Sequence, residues 1–308
     1  MGLSLLEKNL LAHTKDKLIR GARISFNVDQ CFAPDSNATL VFLELLKLNV
    51  SKIKPQCVIY IDHNTMQNGP MNMDDHIFLQ DCAKKYGIIL SKAGNGISHQ
   101  VHLERYAKPG IIALGADSHS STMGAIGALG LCSGSLDLAL TMSNGSYSII
   151  MPKIIKVNLT GKLKKYSSAK DLALHLVYKM AINKHGNYVL EFTGDGLSSL
   201  NVYERATIAN MSAEMGVVGS IFPSDEQTKK YLEAHGRADD YLAQEADSDA
   251  QYDYEYEIDL GQISPLAACP SRIDNVKSVE EIQGLKVNQV LIGSCANGSI
   301  YDFIYAAN

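Results

Sequence analysis

Ile111-Ile-Ala-Leu-Gly-Ala-Asp117-Ser118-His119-Ser-Ser-Thr-Met-Gly124 is the stretch that decides the fold. Four apolar residues read as a short buried strand, and small residues then turn the chain into a dense polar cluster. The same order recurs elsewhere. Cys57–Ile61 is a β-branched run that runs directly into Asp62-His63-Asn64. Ile88–Leu90 precedes Gly94-Asn-Gly-Ile-Ser-His99, and Val290–Ile292 precedes Gly293-Ser-Cys295. Helical patterns lie between these runs, at Ser4–His13, Asp35–Leu48 and Asp74–Tyr86. Strands alternating with helices predict an α/β fold with parallel sheets flanked by helices. In such sheets, ligands bind outside the carboxyl ends of the strands, where all four polar runs fall.

The pattern continues beyond residue 125. Leu129–Met142 is apolar, small and Gly-bearing, and reads as a closely packed helix. Ile154–Leu163 and Tyr188–Phe192 read as strands, and Ser168–Ile182 and Val202–Met215 as helices, so a second α/β unit is expected. Asp239–Glu257 carries eight acidic residues and reads as a solvated helix or loop. Leu260–Ser271, with Pro265 and Pro270, reads as an irregular connection. Val287–Ile292 reads as a strand that begins a third unit.

Composition narrows the function classes. Net charge is −5 and no basic run exists, which argues against nucleic acid as a partner. No apolar stretch is long enough to span a membrane. Six cysteines are scattered without a Cys-x-x-Cys, which suits free thiols in a reducing, cytoplasmic setting.

The chemistry-bearing residues sit at the strand ends. An acid beside an imidazole, as in Asp62-His63, can orient the ring and raise its proton affinity. Asp117-Ser118-His119 reads either as a site for an anionic, hydroxylated ligand or as a helix cap formed by Asp117 or Ser118. Consecutive residues rarely meet the geometry of a hydrolase triad. Cys295 reads either as a metal or cluster ligand or nucleophile, or as a buried small hydrophobe. Three loops with His, two of them with an acid nearby, and a fourth with Cys in matching positions point to one shared site.

These residues resemble the iron–sulfur hydro-lyases of the aconitase family, which include homoaconitase and the large subunit of isopropylmalate dehydratase. The resemblance rests on Asp29-Gln30 with Asp35 and Thr39-Leu40, Tyr60–Thr65, Gly94–Gln100 with His102-Leu-Glu104, Gly115–His119 and Ile292–Asn297. Glu204–Gly216 supports it, and the match runs in order from about residue 5 to the end. It implies two aconitase-type domains, 1–152 and 153–258, and the start of a third at 259–308. It also implies a [4Fe–4S] cluster held by three thiolates, with one open iron acting as a Lewis acid. Cys295 would be the first ligand. The other two ligands, the serine base and the last domain would follow in cis beyond this sequence, so the 308-residue chain alone is expected to lack the cluster and activity.

By the same resemblance, Asp62 orients His63, which protonates the leaving hydroxyl. His99 pairs with Asp117, and His119 with Glu214. Gln30 and Ser118 contact substrate, and Asn210 lies near the cluster. Ala116 and Ala296 replace the hydroxyl residues usual in their motifs, and none of the implied catalytic groups is lost. The expected partner is a small tri- or dicarboxylate. Tyr60–Thr65, His102–Arg105 and Pro223–Asp225 favour aconitate hydratase, interconverting citrate and isocitrate. Homoaconitase, isopropylmalate dehydratase and a non-catalytic carboxylate-binding domain are the alternatives.

Overall fold

The middle strand of the first sheet, Gln30–Pro34, is buried at every position. The computed structural model describes residues 2–183 and 186–307. Cys31 and Ala33 pack on one side with Val41, Phe42, Leu45 and Ile59. Phe32 packs on the other with Val58, Tyr60, Leu103 and Ala113. Burial on both faces is why such strands read as continuous apolar runs. The sheet is parallel throughout, in the order Ile89–Ser91, Gln56–Tyr60, Gln30–Pro34, Ile112–Gly115, Leu129–Cys132. Helices Asp35–Lys47, Met71–Tyr86 and Ser135–Asn144 cover one face.

A second parallel sheet runs Gly219–Ile221, Tyr188–Thr193, Lys153–Thr160, Tyr254–Asp259. Helices Ala169–Asn183 and Val202–Met211 pack together beside it. Ile155, Val157, Leu172 and Ala206 share a core with Phe32 and Tyr60, so the two sheets are joined by one apolar interior. Gly124 makes that junction possible. A Cβ there would lie 1.9 Å from the Ser220 carbonyl oxygen. The bare backbone instead accepts a 2.9 Å hydrogen bond from the Phe222 N–H. The segment after Ile112–Gly115 is thereby clamped to the second sheet and to helix Val202–Met211. At the N-terminus, helix Leu5–His13 starts with a capping box between Ser4 and Glu7. Its Leu5 and Leu6 N–H groups donate to the buried Glu191 carboxylate at 2.9 and 3.0 Å.

Four expectations are corrected. Leu129–Met142 is a strand, Leu129–Cys132, followed by helix Ser135–Asn144 with Gly134 as N-cap. Short apolar runs do not distinguish buried strand from buried helix by periodicity. The acidic span 239–257 leads into strand Tyr254–Asp259, whose polar residues face solvent at a sheet edge. Val287–Ile292 forms no strand: Val290 is 79% and Leu291 83% exposed, with no sheet neighbour among the described residues to pair with. A helical turn Ser294–Asn297 and helix Ile300–Ala307 follow. Part of the expected irregular connection is an antiparallel pair, Leu266–Ala268 with Val276–Ser278. Among the described residues, no helix is long and apolar enough to cross a membrane.

Candidate active site

The first sheet brings its loops to one place because all its strands run the same way. Asp117 is the hub. Its carboxylate caps the 3₁₀ segment Ser118–Ile126, accepting the His119 N–H at 2.8 Å. The cap reading and the site reading therefore describe the same residue. Three imidazoles from three loops surround it. His99 Nε2 lies 3.2 Å and His119 Nδ1 3.5 Å from Asp117 Oδ1, and His63 Nε2 lies 3.8 Å from Oδ2. The His63 and His99 ring centroids are 6.2 Å apart, and those of His99 and His119 5.7 Å.

Asp62 connects two of these loops. Its Oδ2 accepts the Ser98 N–H at 2.6 Å, at the start of helix Ser98–Arg105, which carries His99. Its Oδ1 lies 2.9 Å from His63 Nδ1. The acidic partner and the helix N-terminus thus share one buried carboxylate. The hydrogen bond to Asp62 raises the His63 proton affinity, outweighing burial.

Burial pushes the Asp117 carboxyl upward, but contacts with His119 and His99 outweigh it and hold the group well below the usual carboxylate range. His119 is raised to about 10, first by Asp117 and then by Cys295. Burial pushes the Cys295 thiol up, yet His119 outweighs this and leaves it at about 7. Glu214 stands 3.6 Å from His119 Nε2, an ion-pair contact beyond hydrogen-bond reach. Asp117 and Glu214 thus flank the His119 ring at similar distances, 3.5 Å from Nδ1 and 3.6 Å from Nε2. His99 is fully buried with Asp117 Oδ1 3.2 Å from its Nε2, yet among the described residues neither ring nitrogen has an aligned hydrogen bond. Buried polar atoms of this kind call for a partner.

The remaining expected residues divide. Ser118 Oγ lies 3.3 Å from His119 Nδ1. Asn210, on helix Val202–Met211, accepts a 3.7 Å contact from Cys295 Sγ and donates to Thr122 Oγ1 at 3.0 Å. Cys295 sits on the turn Ser294–Asn297, which Thr207 holds by donating to the Ala296 carbonyl at 2.8 Å. A cavity of about 460 Å³ opens beside it, lined by His119, Lys170, Asn210, Glu214 and Leu266. Gln30 is not brought to the site. It lies at the opposite end of its strand, where its amide donates to Gln56 Oε1 and the Tyr106 carbonyl, and its oxygen faces His102 Nε2 at 3.1 Å. Sequence reasoning attached no role to Asp35 or His76, although both lie behind the His63 loop. Asp35 directly follows a strand, as the other site loops do, and that signal was available.

His99, His119 and Cys295 place donor atoms within 4.8 Å of one another. Cys295 is the one cysteine in such a grouping among the described residues. Its acidic thiol, the adjoining cavity and the unpartnered His99 fit one corner of a thiolate-held cluster.

A family model described as the aconitase family (aconitate hydratase) matches residues 42–282. The 3-isopropylmalate dehydratase large subunit 2 of Archaeoglobus fulgidus is 36% identical over the whole chain, which covers 74% of that protein. Large subunit 1 of the Thermotoga maritima dehydratase is 35% identical over 98% of this chain and 73% of its own length. Mitochondrial homocitrate dehydratase of Saccharomyces cerevisiae is 33% identical over 97% of this chain and 43% of its own length.

Proposed function

Because the chain belongs to the aconitase family, we propose that it is a hydro-lyase acting on a small hydroxy-carboxylate of the isopropylmalate type. The names of the similar proteins favour isopropylmalate or homocitrate over citrate and isocitrate. The observation that supports the reading is the convergence of His63, His99 and His119 on Asp117. Removing water from a hydroxy acid breaks a C–H and a C–O bond, and the departing hydroxyl must gain a proton. His63, charged through Asp62, is suited to supply that proton. His99, whose ring nitrogens have no aligned hydrogen bond among the described residues, offers them to a ligand oxygen, and Ser118 Oγ stands beside His119. Cys295, with Asn210 beside it, would hold a [4Fe–4S] cluster, which when bound supplies a Lewis acid for the hydroxyl. Among the described residues Cys295 is the one cysteine placed for this role. The words "large subunit" in the relatives' names favour a small subunit in trans as a partner.

Ligand titration followed by histidine NMR tests this reading. Millimolar 3-isopropylmalate should move the ring resonances of His63, His99 and His119, at lower concentration than citrate does. No response to 3-isopropylmalate, homocitrate or citrate would sink the proposal. A response to citrate alone would return the substrate to the aconitate hydratase reading.

A further inference from the structure

We infer that Asp35, braced by His76, is a positioning residue that fixes the His63 loop against the Asp117 loop. The inference rests on the functional reading above only for the role of His63. Asp35 is 3% exposed and opens helix Asp35–Lys47 at the end of the central strand. Its Oδ1 accepts the His63 N–H at 3.0 Å, and its Oδ2 accepts the Asn64 N–H at 3.1 Å. His76 Nε2 lies 3.1 Å from Oδ2, and the Ser36 N–H reaches Oδ1 at 3.0 Å. The side-chain amide of Gln67 stands 3.4 Å from His76 Nδ1. Donation to Nδ1 leaves the ring proton on Nε2, directed at Asp35. One buried carboxylate thus receives four N–H groups, two of them from the backbone that carries His63.

Residues 63–71 are exposed, and beyond Asp35 the loop is tied by Asn72, whose Nδ2 donates to the Asn64 and Met66 carbonyls at 3.2 Å each. The same helical turn also reaches the other side of the site. Asn37 Nδ2 donates to the Ala116 carbonyl at 2.6 Å, one residue before Asp117. Asp35 and Asn37, two positions apart, therefore tie down both loops. The 3.8 Å spacing between His63 and Asp117 is set by this shared anchor. A buried carboxylate saturated by N–H donors is stiff, because losing any one bond leaves a polar group without a partner.

The test is Asp35→Asn in the 308-residue chain, read by amide exchange and by the His63 imidazole N–H resonance, assigned through its loss in His63→Gln. An asparagine NH₂ faces at least one of the donors now satisfied. Protection at His63 and Asn64 should fall about tenfold, the scale of one lost hydrogen bond. The imidazole resonance should broaden or vanish, while Ile112 stays protected. His76→Gln keeps an N–H toward Asp35 and should preserve the resonance, whereas His76→Leu should weaken it. A folded Asp35→Asn chain with unchanged His63 and Asn64 signals overturns the inference. If that variant does not fold, His76→Leu decides in the same way: loss of the resonance supports the inference and an unchanged spectrum refutes it. No substrate enters the measurement, so it can succeed even if the ligand titration fails.

Discussion

Replacing Arg205 with methionine should cost about 3–5 kcal/mol, the range for breaking a buried ion pair from one side. Arg205 is 0% exposed and uses its whole guanidinium. Nε donates to the Leu200 carbonyl at 3.1 Å, and Nη1 to the Pro223 carbonyl at 3.3 Å and to Asp225 Oδ1 at 2.9 Å. Nη2 donates to the Leu197 carbonyl at 2.9 Å and to Asp225 Oδ2 at 2.6 Å. Methionine fills similar volume but donates nothing. Three carbonyls lose a donor, at about 1 kcal/mol each. Asp225 adds less, because its side chain is 32% exposed and keeps the N–H groups of Gln227 and Thr228. Arg205→Lys, with three donors, should recover about half of the loss. The chain has no Trp, so urea unfolding is best followed by far-ultraviolet circular dichroism. Arg20→Met, at a half-buried pair with Glu7 and Asp253, is the control and should cost about 1 kcal/mol or less. A loss at Arg205 no larger than at Arg20 would refute the reasoning. The site would feel a true loss, since Thr207 and Asn210 lie on the same helix as Arg205.

Other outcomes follow from the site and the chain end. A raised His63 value means that its charge stabilises the fold fully below the ordinary imidazole value of 6.5, and that this support fades as pH rises through the folded value. The stability gap between wild type and Asp62→Asn should therefore be wider near pH 5.5 than near pH 9, and a gap independent of pH would contradict the pairing. Iodoacetamide at neutral pH should modify Cys295 faster than the more exposed Cys132, whose thiol burial pushes up; faster labelling of Cys132 would argue against a His119-activated thiol. Amides of Leu291 and Ile292 should exchange much faster than that of Ile112, which donates to Asp29 at 2.8 Å inside the sheet. Equal protection would mean that the 287–292 segment is docked.

The local signals in the sequence carried far. An apolar run ending in a polar turn marks the strand ends before Asp62-His63, His99 and Asp117–His119, so those loops were legible from neighbouring residues alone, whereas the apolar run before Cys295 forms no strand. The alternation of strands and helices likewise led to parallel sheets. Pairings were beyond its reach. That Asp117 is shared by three imidazoles, that Asp35 holds the His63 backbone and that Gln30 turns into an interior network all depend on register between strands far apart in sequence. Leu129–Cys132 becomes a strand because Ile112–Gly115 offers it an edge, while Val287–Ile292, equally apolar, finds none among the described residues. Periodicity reports which residues avoid water. Which backbone supplies the missing hydrogen bonds is decided only when distant segments meet.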